Sequence, residues 1–303
     1  MYNRNQLVIC SIILALLYML SFTSVFQKKR SGSSTETVLL NPRYLSEINR
    51  IELKNGEYSI LLEKKAASWS GLSETAGSTM SVSFPADNEK IQNFLEELTS
   101  SIKVSIISDS LSGALALGMS DTDRLSVCTV YADGTACTRL YFKDSSTGAL
   151  LFRTDTGSRI YETADQKKLR LGADINSCCD PFIIPGYFAG TKSHNTVQRM
   201  MLIARNNTAE ISRGSFTPLL DLLHAAVLSL AEPAEQVSAL RLENDNGKIL
   251  VITFYQLSSQ EKTRRYICSY SDTDGNTFTG YHPVISGWTY DRLISYAEAH
   301  SSR

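Results

Sequence analysis

Short turns flanked by alternating apolar and polar residues are the feature that most constrains how this chain folds. Segments 48–53 and 58–62 alternate in this way on either side of Asn55-Gly56. Further turns of this kind stand at Asp133-Gly134, Asn246-Gly247 and Asp274-Gly275. Asn-Gly and Asp-Gly pairs accept the positive backbone angles of tight hairpin turns. The pattern therefore predicts a succession of antiparallel strands.

Amphipathic segments add helices to these predicted sheets. The first segment follows Asp87, a predicted N-cap, and carries apolar residues at the spacing of one helical face. These residues are Ile91, Phe94, Leu95, Leu98 and Ile102. A second helix is predicted to begin at Thr217-Pro218 and a third to cover residues 288–299. The predicted buried face of the second consists of Leu219, Leu220, Leu223, Ala226, Val227 and Leu230.

The order of these elements predicts the fold class and four parts of the chain. Residues 1–30 form an N-terminal transmembrane helix with its flanks, and residues 31–39 form a polar linker. Residues 40–185 and 186–303 form two similar units of α+β class, each a curved antiparallel sheet with one packed helix. The shared layout makes the second unit a candidate degenerate repeat of the first. One larger α+β domain is the alternative.

Residues 7–26 are the stretch that is long and apolar enough for a predicted membrane anchor. They carry no charge, and a helical span needs about 20 mostly apolar residues. The apolar residues that define the anchor are Leu7, Val8, Ile9, Ile12, Ile13, Leu14, Leu16, Leu17, Leu20 and Phe26. A weakly basic start and a poor cleavage site favour an uncleaved anchor, with a cleaved signal peptide as the alternative.

Charge and cysteine spacing exclude two broad classes of protein. The formal net charge is −1 at pH 7, so the chain lacks the basic surplus of a nucleic-acid binder. The six cysteines are irregularly spaced and include no Cys-x-x-Cys pair, which argues against a disulfide framework and structural zinc. Adjacent Cys178 and Cys179 are interpreted as two loop cysteines, with a thiol pair or a strained vicinal disulfide as alternatives.

The sequence contains no spacing of a familiar catalytic or metal site. No two of the four histidines are four residues apart, and His224 is interpreted as a partly exposed helix residue. The glycine motifs of nucleotide-binding loops and the nucleophile elbow of serine hydrolases are absent. We therefore predict a protein that is not an enzyme, with no catalytic residue, no metal ligand and no cofactor.

Five positions of the first unit carry a resemblance to a known family. They are Trp69, Asp87, Leu117, Gly118 and Tyr161. In this order, behind an apolar N-terminal segment, they resemble domain of unknown function family 4340. The resemblance implies a bacterial protein with an N-terminal anchor that accompanies ABC-type transporters of the gliding-motility kind. It implies no catalytic residue, because none is established for that family.

The anchor, the missing catalytic motifs and the resemblance together predict the function. We expect a non-catalytic, membrane-anchored accessory or scaffold protein of an ABC-type transporter or cell-envelope complex, with the permease and the lipid bilayer as partners. The basic residues at 28–30 outnumber Arg4, which favours a cytoplasmic body. The cysteines and the resemblance favour an exported one, so we predict a single-pass protein of the inner (cytoplasmic) membrane with an extracytoplasmic body. A structural envelope protein and an envelope hydrolase acting on glycan or peptide are the alternatives.

Overall fold

A computed structural model describes most of the chain between Ser34 and Ser301. The described residues are 34–56, 58–65, 68–120, 125–145, 148–155, 158–164, 169, 171–191, 194–204, 207–228, 235–257, 264–273 and 278–301. The predicted anchor at residues 7–26 lies outside them, as does the first part of the predicted linker.

Ten strands form one antiparallel sheet, called the first sheet here. They are β1 (Ser34–Thr37), β2 (Ile48–Asn55), β3 (Tyr58–Lys65), β4 (Ser68–Thr75), β5 (Ser81–Pro85), β6 (Ile102–Ser108), β7 (Ser126–Ala132), β8 (Thr135–Asp144), β9 (Leu150–Thr154) and β10 (Ile160–Thr163). Their spatial order is β1-β6-β10-β9-β8-β7-β2-β3-β4-β5. Ile51 and Leu53 of β2 lie opposite Val130 and Cys128 of β7, and all four are buried. Strand alternation thus gives this sheet one face in the core.

Seven later strands form the second sheet, after a two-stranded ribbon of β11 (Gly190–Thr191) and β12 (His194–Asn195). They are β13 (Val197–Ala204), β14 (Asn207–Ile211), β15 (Ala226–Val227), β16 (Glu235–Asn244), β17 (Ile249–Gln256), β18 (Arg265–Asp272) and β19 (Pro283–Ser286). Their spatial order is β14-β13-β16-β17-β18-β19-β15.

The second sheet repeats the topology of seven strands of the first. The order β6-β10-β9-β8-β7-β2-β3 corresponds strand for strand to β15-β19-β18-β17-β16-β13-β14. A register shift also recurs, between Ile48 and Arg50 of β2 and between Val197 and Arg199 of β13. The first sheet differs by β1 at one edge and β4–β5 at the other. The two sheets are versions of one topological unit, whereas the domain boundaries given above stay a prediction.

Two helices of about three turns or more bury apolar side chains in the core. They are α1 (Asn88–Thr99), between β5 and β6, and α6 (Gly287–Ala299), after β19. The shorter helices are α2 (Leu111–Ala116), α3 (Ile175–Cys178), α4 (Gly186–Ala189) and α5 (Thr217–Leu220), with 3-10 turns at Pro42–Tyr44 and Arg213–Ser215. The Asp87 carboxylate accepts from Lys90 N at the start of α1, and Ser286 Oγ accepts from Thr289 N at the start of α6. The predicted cap at Asp87 is therefore observed.

One continuous apolar cluster joins the two sheets, and residues 171–190, called the junction segment, run through it. This segment is bonded to both sides. Asp87 N donates to Cys178 O, Asp180 N donates to Pro85 O, and Ile183 N donates to Leu222 O. A smaller apolar cluster lies beneath α2. The junction segment is thus the backbone link between the sheets.

The predicted α+β fold class is wrong, because the structure is mostly β. Strands make up 51% of it and helices 22%, in two antiparallel sheets of ten and seven strands. The second unit does not contain the long central helix that the sequence predicted. There, α5 ends at Leu220, and the chain continues as an extended segment that pairs with its neighbours.

The predicted helix beyond Leu220 is replaced by tertiary hydrogen bonds. His224 N donates to Pro181 O, and Ala226–Val227 forms β15 against β19. Leu223, predicted to be buried, is 55% exposed. The apolar spacing resembled a helical face, but these backbone groups bond to the junction segment and to β19 rather than to each other.

The predicted single-pass membrane protein is also corrected. Among the described residues, no helix has the length and apolar character needed to cross a membrane. The assignment to the inner membrane, with the bilayer as a partner, has no support in this structure. The anchor residues themselves are outside the described part of the chain.

Candidate functional site

A cleft of about 550 Å³, called the junction cleft, opens where the two sheets meet. Its border includes the first residues of α1, the junction segment and the end of α5. Since α1 follows the strands that start the first sheet and α5 follows β14, corresponding connections of the two topological units face this cleft. The lining residues are Asp87, Asn88, Glu89, Asp180, Pro181, Phe182, Ile184, Gly186, Ala189, Gly190, Leu220 and Asp221.

The lining of the junction cleft combines carboxylates with an apolar wall. Asp87, Glu89, Asp180 and Asp221 supply the carboxylates, and the described lining contains no lysine or arginine. The apolar wall is formed by Pro181, Phe182, Ile184, Ala189 and Leu220. A concave apolar surface with a few converging polar groups is the usual form of a small-molecule site, and its volume is in the ordinary range.

Asp180 is the buried carboxylate of this cleft, with 6% of its surface exposed. Its Oδ1 accepts from Phe182 N at 2.9 Å, and its Oδ2 accepts from Gly186 N at 2.7 Å. The side chain thereby holds the turn that leads into α4. Its backbone N–H meanwhile donates to Pro85 O of the first sheet at 2.9 Å. One residue thus shapes the floor of the cleft and ties it to β5.

Burial raises the pKa of the Asp180 carboxyl to about 6. The two backbone N–H donors act in the opposite direction, and the nearby Asp87 carboxylate raises the pKa further. Burial is the largest of these causes. Asp180 is therefore a carboxyl group that exchanges its proton close to neutral pH.

His224 and Cys179 lie against the junction segment beside Asp180. His224 Nε2 is 2.7 Å from the Asp180 carbonyl oxygen, to which it donates, and 3.9 Å from Cys179 Sγ. Burial raises the pKa of the Cys179 thiol to about 12 and lowers the pKa of His224. A reactive cysteine needs a thiolate, commonly paired with a charged imidazole. This pair is a neutral thiol beside a neutral ring and is not arranged as a nucleophile.

Cys178 points to a different partner from Cys179, which settles the alternatives for these adjacent residues. Cys178 Sγ donates to Gly172 O at 3.1 Å, and both thiols are free and buried. Burial also raises the pKa of Cys178 to about 12. The vicinal disulfide is therefore not formed, and both cysteines act as small buried groups.

Aromatic rings from the second sheet support the junction segment from the core side. Tyr270 Oη donates to Ile183 O at 2.7 Å, and the Tyr281 ring lies edge-on to His224 with ring centroids 6.4 Å apart. Tyr281 is fully buried. The floor of the cleft is therefore held by ring packing as well as by the Asp180 hydrogen bonds.

The five family-like positions do not form one site, although Trp69 is hydrogen-bonded to both chain neighbours of Asp87. Trp69 is 5% exposed, and its backbone N–H donates to Asn88 Oδ1 at 2.7 Å. Asp87 reaches the junction cleft. Tyr161 stacks on Phe152 with centroids 5.2 Å apart. Of these three, Asp87 alone lines the candidate site.

Leu117 and Gly118 form the end of α2, far from any cleft chemistry. Gly118 has a φ of +62°, which favours glycine, and the turn carbonyls of both residues accept from Lys143 Nζ. Arg153 Nε donates to the carbonyl of the following residue, Met119, at 2.9 Å. The motif therefore closes a helix and fastens it to β8 and β9.

Sequence reasoning missed Asp180, Asp221 and Phe182 as site residues. Asp180 stands between Cys179 and Pro181, and the proline-rich, aromatic stretch around it was interpreted as a loop. A carboxylate in a stretch of apolar residues was the available signal, since such a group is rarely buried without a role. No sequence pattern marked Asp221 as a site residue, because its place in the cleft depends on where α5 ends.

Among the described residues, no cluster of three or more His, Cys, Asp or Glu side chains is arranged to hold a metal ion.

Comparison with known proteins assigns neither a family nor a function to the chain. No family model matches the chain, and neither the curated proteins nor the solved structures contain a significant match. Membership of the resembled family therefore stays a prediction.

Proposed function

We propose that this protein is a non-catalytic binding protein that takes up a cationic ligand group in the junction cleft as an accessory of a larger assembly. The observation that carries this proposal is the cleft itself. Its lining, around a volume of about 550 Å³, combines half-buried Asp87 and exposed Glu89 and Asp221 with buried Asp180. An ammonium or guanidinium group is the ligand chemistry that four carboxylates recognise.

The apolar wall further restricts the ligand. Phe182, Ile184 and Leu220 line the same cleft as the carboxylates. A ligand with a cationic head and an adjoining apolar group would satisfy both surfaces. Basic residues next to aliphatic ones in a peptide meet this description, so we propose a basic, partly apolar peptide segment as the ligand class.

The geometry of Asp180 supports binding rather than covalent chemistry. Both carboxylate oxygens already accept backbone N–H groups, and Cys179 and His224 are a neutral pair. Each Asp180 oxygen keeps a second lone pair that can accept from a cationic ligand, whereas the neutral thiol and ring provide no activated nucleophile. These groups are used to hold the cleft in shape.

Calorimetric titration with acetyl-leucyl-arginine amide tests the proposal. The neutral isostere acetyl-leucyl-citrulline amide is the matched control ligand. We expect saturable binding of the arginine compound that weakens as salt is added, and little binding of the citrulline compound. The variant D87N/E89Q/D221N keeps the side-chain shapes, removes three charges and should reduce affinity by about tenfold or more. Equal binding of both compounds by the native protein would reject the proposal.

The assembly to which this accessory belongs is a separate part of the proposal. The sequence resemblance alone supports an ABC-type transporter or another cell-envelope complex as the partner. Chemical crosslinking in cells, followed by purification of the protein, should recover a transporter component. Recovery of the protein with no such component, under conditions that capture a known transporter pair, would contradict this part and leave the cleft proposal standing.

An envelope hydrolase is the second candidate, favoured by one observation. Asp180 has a pKa of about 6 and lies close enough to Asp87 to be raised by its charge. Carboxyl pairs with separated pKa values perform acid and base steps in hydrolases. Hydrolysis of the calorimetric probe, seen as release of ammonia, arginine amide or leucyl-arginine amide and lost in D180N, would favour this candidate over binding alone.

A further inference from the structure

We propose that a cationic ligand enters the junction cleft in exchange for the proton of Asp180, so that ligand binding and acidification oppose each other. This inference rests on the proposed binding function and adds its regulation. The exchange involves no covalent step, because the ligand's charge replaces the charge of the proton beside the same carboxylate.

The position of Asp180 supports this exchange. It is the buried member of the four carboxylate residues, whereas Asp87 is half-buried and Glu89 and Asp221 are exposed. Its hydrogen bonds to Phe182 N and Gly186 N come from neutral donors. Among the described residues, no cationic group hydrogen-bonds the Asp180 carboxylate, so the ionised form lacks a counter-charge that a proton or a ligand cation would supply.

Charged and titratable groups lie around Asp180 both on the cleft side and on the core side. On the cleft side are Asp87 and Glu89 of α1 and Asp221 after α5. Lys90 of α1 directs its ammonium group to the Ser177 carbonyl. On the core side, the remaining groups are Cys179, His224, Tyr270 and Tyr281. Burial among neutral groups and, to a smaller extent, the Asp87 carboxylate disfavour an unneutralised Asp180.

The pH range of the exchange follows from the protonation of Asp180. Burial raises the pKa of this carboxyl to about 6, so the group is mostly protonated at pH 5 and ionised at pH 7.5. If the ligand binds the ionised form, its affinity should fall about tenfold between pH 7.5 and pH 5. Burial lowers the pKa of His224, which keeps this ring neutral towards more acidic pH.

Proton counting on the native protein is the primary test. Acetyl-leucyl-arginine amide is titrated calorimetrically at pH 5.5 in two buffers of different ionisation enthalpy, and again at pH 7.5. We expect release of about three quarters of a proton per ligand at pH 5.5 and close to none at pH 7.5. This measurement needs no variant, so it stands even if a substitution at Asp180 disturbs folding.

Two variants then assign the proton. D180N should remove both the proton release and the tenfold pH effect, while D221N should weaken binding at both pH values and keep the proton release. Binding at pH 7.5 without proton release at pH 5.5 would overturn this inference and leave the binding function intact. Proton release retained in folded D180N would also overturn it. Absence of binding at every pH would instead reject the proposed function.

Discussion

The two sheets share one strand topology, but the long helix that packs on each sheet comes from a different part of the chain. In the first sheet, the connection from β3 to β6 contains β4, β5 and α1, and the 12 residues of α1 bury four apolar side chains. The corresponding connection from β14 to β15 contains only a 3-10 turn and the four residues of α5. The second sheet is covered instead by α6, which follows β19 and contacts β14, β18 and β19.

This difference shows which features of the unit are interchangeable. Strand order is set by backbone pairing between neighbouring strands, and it is retained in both sheets. The helix that packs on a sheet needs only an amphipathic sequence that buries its apolar face, so any nearby part of the chain can supply it. The short helix α5 ends at Leu220 and Asp221, across an open space from the start of α1. The junction cleft occupies that space.

The largest expected effect comes from truncating the buried faces of the two long helices. Leu98 of α1 and Leu293 of α6 are 0% and 1% exposed. Leu98→Ala and Leu293→Ala should each lower the free energy of unfolding by about 2–5 kcal/mol in urea titrations, because each leaves a cavity. The control L111A removes a side chain that is 72% exposed and should change stability by less than about 0.5 kcal/mol. An effect of L293A no larger than the control would break the equivalence of α1 and α6.

The next effect concerns the pH dependence of the link between the sheets. The pKa of Asp180 is raised from 3.8 to about 6 by folding, so the folded state binds this proton more tightly than the unfolded state. Its stabilising contribution is complete below about pH 4 and is lost as pH rises to about 6. The stability of the native protein relative to D180N should therefore fall by about 3 kcal/mol across that range. Urea titrations at intervals of pH measure this difference.

Asp221→Asn is the matched control for that experiment, because Asp221 lines the same cleft but is exposed. The stability of D221N should follow the native curve in parallel between pH 4 and 6. If the difference in stability between the native protein and D180N did not change with pH, protonation of Asp180 would not be coupled to folding. The link between the sheets would then be insensitive to pH in this range.

A smaller effect is expected in the strands that only the first sheet possesses. A Cβ added at Gly71 of β4 would lie 2.1 Å from the Phe84 ring of β5, so Gly71→Ala forces the ring to move. Such overpacking costs about 1–3 kcal/mol. Hydrogen exchange should show loss of protection first in β4 and β5. The control G214A adds a Cβ with no heavy atom within 4 Å and should be close to neutral. Uniform loss of protection across both sheets would mean that β4–β5 is integral to the shared unit.

The smallest effect compares the caps of the two long helices. Asp87 accepts from Lys90 N at 3.0 Å and Ser286 accepts from Thr289 N at 3.1 Å. Asp87→Ala and Ser286→Ala should each lower the free energy of unfolding by about 1 kcal/mol. Asp87→Asn retains a capping oxygen and should lose much less. A clearly larger loss in D87A than in S286A would show that Asp87 contributes to the junction cleft beyond its cap.

Local patterns predicted much of the fold because they act through neighbouring residues. The turn at Asn55-Gly56, the cap at Asp87 and the closing helix near residues 288–299 were all found in this way. The helix expected after Thr217-Pro218 was mostly wrong. Its apolar spacing was compatible with a helix, but His224 N and Ala225 N bond to Pro181 O and Val284 O instead.

Such local patterns could predict little of the candidate site. Asp87 was recognised as a cap, which says nothing of the cleft it borders. Asp180 lies close enough to Tyr270 and Tyr281, about 90 and 100 residues further along the chain, for its charge to raise the pKa of both. No local spacing encodes a contact over that separation.

The sequence by itself determined the hairpins, the helix caps and the apolar faces, since each depends on backbone preferences and periodicity within a few turns or strands. The sequence predicted two similar units, but only the tertiary structure decided their shared strand order, the packing of α6 in place of a longer second helix, and the burial of Asp180 between the sheets. These outcomes depend on which distant surfaces exclude water together, and the sum of many such contacts is not visible in any short segment.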